Sequence, residues 1–569
     1  MIRNRSIGML MALGLTGVAM PARAQQISDA RIHELIKQAA DRAARGESPA
    51  APQVQAAGQA RTKVPITLDE AVKFALDRNL DIAVQRLNPE INDIAIASIR
   101  SVYHPTMTST LTTQSTTTAS TSTISGTNGA GEPINAGLGV YNGGLSQSIP
   151  RGGGSLTVTL NNNRQTTTSL NTLYNPAFNT NWSGSYTQPL LRNFRLDSTR
   201  RQLQVTKITR DISDVQLRAT ITNTLSNVRN AYWDYVYAIQ AVEVAQKSLD
   251  LASKLVQDNQ TRVEVGTMAP IDVVQAQSEQ ATRRQALVTG QSTRRTTELA
   301  LKRLIVSGTQ DPNWNVELDP TDRPEFRAEP IDIEAAVRRA LSERTDLDIA
   351  KKNVGSNDVT LRFLQDQLKP QADLVTTYGL TGLGGSQLIT TGTGVNRTVT
   401  GSLPGGYGDA LSTLFHNDFP RWTVSMAFSY PLGLSSQQAS VARARVQLNQ
   451  VQAQMKQIEL QVATDVTNAA LTAQSSAEGV QAAQAARELS TRKLEAEQSK
   501  FDVGMSTNYF VVQAQRDLAD AQNTELRQIL NYRKSLVELE RLQQTTLQNL
   551  NITVLSATGT GTAAAAGGQ

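Results

Sequence analysis

Few residues in this chain are of a type and spacing that could do chemistry. The three histidines, His33, His104 and His416, fall in an N-terminal segment, at a helix end and in a loop, so no ligand cluster is predicted and no metal site follows from them. No Ser-His-Asp arrangement can be assembled around them. The glycine-rich run Arg151-Gly152-Gly153-Gly154-Ser155 lacks the Gly-Lys-Ser/Thr that completes a phosphate loop and reads as a turn. Asp346 and Asp348 could act as paired carboxylates, but Asp348 matches Asp81 in a repeated helix with Asp346 beside it, which favours a solvated or capping role. Cysteine is absent, which excludes a disulfide framework, a thiolate site, a thiol nucleophile and a lipid-accepting cysteine. The residues therefore predict no catalytic centre, no cofactor and no enzyme.

The elements around those residues belong to an exported protein. Arg3 and Arg5 precede the apolar run Ile7 to Met20, and Ala22-Arg23-Ala24 forms a small-x-small cleavage site, so residues 1–24 read as a secretory signal. That run is shorter than the roughly 20 residues a membrane helix needs, and no later stretch is apolar enough, so any membrane insertion must use strands. Of 55 Lys and Arg, three leave with the signal, and the remaining 52 nearly balance 50 Asp and Glu. Positive and negative side chains alternate along helical stretches and do not gather in a basic stripe, which argues against a nucleic-acid partner.

The sequence is internally duplicated. Pro65-Ile66-Thr67-Leu68-Asp69-Glu70-Ala71-Val72 is matched by Pro330-Ile331-Asp332-Ile333-Glu334-Ala335-Ala336-Val337 at an offset of 265. A Leu-Asp-Ile-Ala tetrapeptide follows in each copy, at Leu80 and at Leu347, and then a proline, Pro105 or Pro370. Later, Val265-Gly266 with Val273 to Gln277 recurs as Val503-Gly504 with Val511 to Gln515, at an offset of 238. The smaller offset places extra residues in the first copy, within the Ser/Thr/Gly/Asn-rich stretch from about Thr106 to Asn181.

Each copy reads as helix, strands, long helix, turn, helix. Thr67 and Glu70 form a capping box, and Asp332 keeps the cap without the box. The long helices, Leu196 to Glu264 and Ser435 to Asp502, are rich in good helix formers and would each extend about 100 Å. The others, Leu68 to Tyr103, Ile271 to Val306, Ile331 to Lys369 and Asn508 to Leu547, are half as long, which suggests a cylinder in which each long helix lies beside a broken pair.

In Trp422-Thr423-Val424-Ser425-Met426-Ala427-Phe428-Ser429-Tyr430 the even positions are large and apolar or aromatic, while the odd ones are small or hydroxylic. Trp422, Val424, Met426, Phe428 and Tyr430 would face lipid and the others water, as in a membrane β-strand. Further strands are predicted at Trp182 to Gln188, Ala372 to Leu380 and Thr106 to Thr112. Leu145 to Ile149 and Ser155 to Asn161, across Pro150 to Gly154, form an additional hairpin that either joins a barrel or folds over its mouth.

From Pro65 to Gln548 the chain resembles the TolC-type outer-membrane efflux proteins. The marks are the duplicated Leu-x-x-Ala-Val opening (Leu68 to Val72, with Ile333 replacing leucine), the strand-ending Gln188-Pro189-Leu190-Leu191 and Tyr430-Pro431-Leu432, and the paired Val-Gly turns. The resemblance implies a mixed α and β membrane protein of two repeats, homotrimeric, with a periplasmic α-barrel of long antiparallel helices continuous with a transmembrane β-barrel of twelve strands. The duplication divides the chain into repeats at 65–329 and 330–548, with 25–64 expected as a flexible segment and 549–569 as a disordered tail. The resemblance also implies an outer-membrane location reaching into the periplasm, a periplasmic membrane-fusion adaptor and an inner-membrane pump as partners, and a role in efflux or type I secretion. Val265-Gly266-Thr267 and Val503-Gly504-Met505 would be the docking turns. Family members often carry acidic residues six and nine positions beyond the second glycine, where Phe510 and Gln513 stand here; the first turn keeps Asp272, so a mixed ring of Asp272 and Phe510 would line the periplasmic aperture. A passive outer-membrane pore or a structural coiled-coil protein of the envelope would lack, respectively, so much helix and such paired strands.

Overall fold

The computed structural model describes residues 63–121, 132–323, 326–392, 397–430, 432–433 and 435–552. The predicted signal, most of the 25–64 segment and most of the 549–569 tail lie outside them. In chain order the elements are β1 (Lys63–Ile66), α1 (Leu68–Arg78), α2 (Leu80–Ser101), β2 (Thr106–Thr118), β3 (Ile134–Ser148), β4 (Ser155–Thr167), β5 (Tyr174–Pro189), α3 (Ser198–Glu264) and α4 (Pro270–Ile305). They continue with α5 (Pro312–Asn315), β6 (Glu317–Pro320), α6 (Ile333–Glu343), α7 (Thr345–Asp366), β7 (Gln371–Thr391), β8 (Thr398–Leu403), α8 (Tyr407–Phe415), β9 (Pro420–Ser429), α9 (Ser436–Asp502), α10 (Asn508–Leu542) and α11 (Thr546–Asn549).

The two long helices have 67 residues each, about 100 Å of helix. No glycine or proline interrupts α3. Each long helix packs along a shorter partner beyond its turn, α3 on α4 and α9 on α10, and along the helices that open its repeat, α2 on α3 and α7 on α9. The predicted capping box is present at Thr67 and Glu70, and Asp332 caps α6 through the amide of Ala335.

Two expectations are corrected. The helices predicted as continuous over Leu68 to Tyr103 and Ile331 to Lys369 are each broken, at Asn79 and at Arg344, where the backbone turns extended. Asn79 makes the break by accepting the amides of Asp81 and Ile82, so its side chain competes with the helix ladder and starts a new one. Both breaks fall at the offset of 265, which puts buried Ile82 opposite buried Leu347; the two Leu-Asp-Ile-Ala tetrapeptides are thus two residues out of structural register.

The segment between the repeats is also more ordered than its composition suggests. β6 pairs in parallel with β1, tying the connector to the start of the first repeat. This small sheet covers the largest core, where Tyr232 and Tyr235 of α3 pack with Val72, Leu301, Ile305 and Leu318. The Tyr235 hydroxyl donates to the carbonyl of Leu318 at 2.6 Å, and that of Tyr232 to Asp322 at 2.7 Å, so both buried phenols are satisfied. Burial, with the neighbouring carboxylates adding to it, pushes both phenols well above the ordinary tyrosine range.

All the remaining strands form one antiparallel sheet ordered β2-β3-β4-β5-β7, with β9 on the first half of β7 and short β8 on its far end. The hairpin left open by the sequence is β3–β4. It lies in the plane of this sheet, between the two strands of the first repeat. In the second repeat β7 and β9 pair directly, and β8 and α8 come between them only in chain order.

Candidate functional site

The predicted site lies at the two ends of this fold, beginning with the helical tips. α3 and α9 stop with the same hydrogen-bond pair: Gly266 N–H to Val263 C=O with Thr267 N–H to Arg262 C=O, and Gly504 N–H to Phe501 C=O with Met505 N–H to Lys500 C=O. This is the Schellman closure, which needs a left-handed residue after the cap. Gly266 and Gly504 supply it with φ of 78° and 77°. The flanking apolar side chains gain nothing from the chain's own core: Val265 is 71% exposed, Val503 70% and Met505 79%.

Behind the turns the four helix ends are bound to one another. Leu255, Val256, Ala276, Phe501, Val511 and Val512 form a small core, with Met268 against it. Buried Asn259 donates to Asn508, and Asn508 donates to the carbonyl of Asp272 at 3.3 Å, linking α3, α10 and α4. Arg262 stacks over Phe501 and pairs with Asp502 at 3.2 Å. Glu279 of α4 is 2% exposed, and its two oxygens receive Arg283 at 2.7 Å and Arg516 of α10 at 2.9 and 2.5 Å. Burial pushes this carboxyl up, but the hydrogen bonds and charges of the two guanidiniums outweigh it and hold it below the usual carboxylate range.

The aperture candidates do not share one environment. Phe510 is 53% exposed and lies edge-on to Tyr509. Asp272 is half-buried, and Gln513 spends its amide on Asp517 at 2.8 Å. Sequence reasoning missed the Glu279–Arg516 and Asn259–Asn508 links. A signal existed for one of them: Asn259 continues the buried spacing of Ala252, Leu255 and Val256, so an amide occupies a seam position.

At the other end, the sheet separates its faces by chemistry. Trp422, Val424, Met426 and Phe428 are exposed on one face of edge strand β9, and Tyr430 follows just past its end. Register places Tyr378 opposite Trp422 and Leu374 opposite Met426 on that same face. The opposite face carries hydroxyls and amides that bond across strands, Thr159 with Ser183 at 2.8 Å, Ser185 with Thr377 at 3.1 Å and Asn179 with Asn163 at 2.9 Å. Beyond the apolar zone α8 lies on the first face. Its Tyr407 hydroxyl donates to Asn162, and Ala410 approaches β7 so closely that a Cβ at Gly382 would meet its carbonyl oxygen at 2.0 Å.

The other residues weighed for chemistry are structural. Asp346 accepts from Arg344 and Asp348 pairs with Arg218, both in the first turn of α7. Among the described residues no group of His, Asp or Glu could hold a metal, and no helix is long and apolar enough to cross a membrane.

The sequence model of outer membrane efflux proteins matches residues 154–306, from β4 to the end of α4, and 336–543, from α6 to the end of α10. The chain belongs to the outer membrane efflux protein family. This efflux channel matches no curated protein by sequence alone. Its fold is similar to solved outer-membrane channels: CmeC of Campylobacter jejuni (TM-score 0.59, 14% identity, 85% of this chain and 88% of that one) and MtrE of Neisseria gonorrhoeae in its open state (0.57, 15%, 84% and 88%). The outer membrane protein VceC of Vibrio cholerae is similar to the same degree (0.58, 13%, 84% and 95%). The protein is thus an outer-membrane efflux channel that extends into the periplasm, with long helices and a sheet.

Proposed function

We propose that this channel works as a homotrimer in a tripartite assembly, its sheets closing into a barrel in outer-membrane lipid and its helices into a periplasmic tunnel. Cargo enters from an inner-membrane pump through a membrane-fusion adaptor docked on the helical tips. The observation that carries the reading is the matched pair of glycine-closed turns presenting Val265, Thr267, Val503 and Met505 to solvent. Apolar side chains held out by a fixed cap, twice in one chain, suit a partner that reads the two repeats alike.

The test replaces Val265 and Val503 with Asp together. Expected is a trimer that still reaches the outer membrane but no longer co-purifies with its adaptor and gives no efflux. Full efflux by this variant would overturn the docking role. At the aperture, Phe510 narrows the resting pore together with Asp272, and Gln513 lies one turn deeper. Phe510→Ala should raise single-channel conductance in planar bilayers; an unchanged conductance removes Phe510 from the constriction.

A further inference from the structure

We propose that the inserted hairpin β3–β4 supplies two membrane-spanning strands, so that each chain gives six strands to the barrel and a trimer closes with eighteen. The proposal rests on the trimeric-channel reading and concerns how wide that channel is at the outer membrane.

Strand register runs in phase through the hairpin. Thr106, Ser146, Thr157, Ser185, Thr377 and Thr423 are paired in sequence across β2, β3, β4, β5, β7 and β9, and all six carry a hydroxyl. One residue along, on the other face, the row is Met107, Leu145, Val158, Gly184, Tyr378 and Trp422, apolar or aromatic but for one glycine. A strand's side-chain period is two, so a hairpin packed elsewhere has no reason to keep both rows in phase. β3 and β4 continue each row without a break, which gives them a lipid face and a water face matching those of their neighbours.

The hairpin also spans the full height of the sheet. Its turn sits at the helical end, where Gln188 at the close of β5 donates to the carbonyl of Gly152 at 2.8 Å and Gln147 of β3 donates to the carbonyl of Tyr103 at the end of α2. The edges are suited to closure. β2 and β9 are exposed along their whole length, and an even number of strands makes them antiparallel, so β9 of one copy can pair with β2 of the next. Barrel diameter grows about linearly with strand number, so this pore is about 1.5 times as wide as one built from four strands per chain. Bulky cargo is the class such a mouth admits.

The chain has no cysteine, so single cysteines report cleanly. Leu145→Cys, Ser146→Cys, Thr157→Cys and Val158→Cys probe the hairpin, while Val424→Cys and Ser425→Cys probe β9, in intact channels exposed to a membrane-impermeant maleimide. Fast labelling at 146, 157 and 425 with slow labelling at 145, 158 and 424 supports the proposal. Alternation at β9 with uniformly fast labelling of the hairpin would place the hairpin outside the barrel and overturn it while sparing the channel. Loss of alternation at β9 would overturn the barrel and the proposal together. Electron microscopy of the purified trimer supplies the count: eighteen strands are expected, and twelve would refute it.

Discussion

Replacing Arg516 with Met should loosen the helical tip without unfolding the channel. Arg516 makes two hydrogen bonds to a carboxylate that is almost wholly buried, and stripping a partner from a buried ion costs about 3–5 kcal/mol. Two features reduce that figure. Arg283 still holds the other oxygen of Glu279, and the Arg516 side chain is 49% exposed, so water already screens part of the interaction. A loss of roughly 2 kcal/mol remains, which corresponds to about a 30-fold rise in local opening. Hydrogen exchange should show it for amides of residues 276–283 and 508–516, while those around Leu225 to Val236 in the largest core stay protected. In a Glu279→Gln background the same Arg516→Met change should cost far less, because the buried charge is gone. Equal effects in both backgrounds would show that the ion pair is not what binds α4 to α10.

The same carboxylate sets a pH dependence. Its folded pKa is depressed, so the stability it contributes is complete above its ordinary value of 4.5 and is lost as pH falls through the folded value; tip exchange should quicken below about pH 4.5, and Glu279→Gln should abolish the change. Gly266→Ala and Gly504→Ala should each cost about 1–2 kcal/mol from backbone strain alone, because a Cβ meets nothing within 4 Å at either site; similar tip exchange in the two variants is expected, and a large difference would refute equivalence of the turns. Lys302 is buried against Glu298 at 2.7 Å and donates to the carbonyls of Trp314 and Val316, so Lys302→Met should lower stability by about 3–5 kcal/mol, with partial recovery when Glu298→Gln is added; thermal melts of the purified channel read both.

The features legible in the sequence were those repeated by period or by position. The Trp422 to Tyr430 alternation, the uninterrupted long helices and the paired Val-Gly turns each repeat a local rule many times over, and each reappears as an element. What was not legible depended on single side chains meeting across the chain. Asn79 breaks a helix because its own amide caps the next one, a choice that a helix-forming neighbourhood hides. Arg516 lies 237 residues from Glu279, and no local pattern marks either as half of a buried pair. The connector strand β6 needed β1 to pair with, and α8 needed the flat surface at Gly382, so neither could be read from its own composition.

The hairpin β3–β4 shows where duplication stops constraining the fold. At the helical tips both repeats present the same turn, and the backbone hydrogen bonds of Thr267 and Met505 agree. At the opposite end each repeat needs only to enter and leave the sheet on the helical side, so an even number of added strands is free to accumulate between β2 and β5 without disturbing the helices. One added strand would reverse the chain direction and strand α3 on the wrong side of the sheet. Two preserve it, and they also preserve the antiparallel match between the outer edges. The helical end and the sheet end of the fold can therefore vary independently. In this chain the tip keeps its twofold repetition, and the added strands lie only at the far end of the fold.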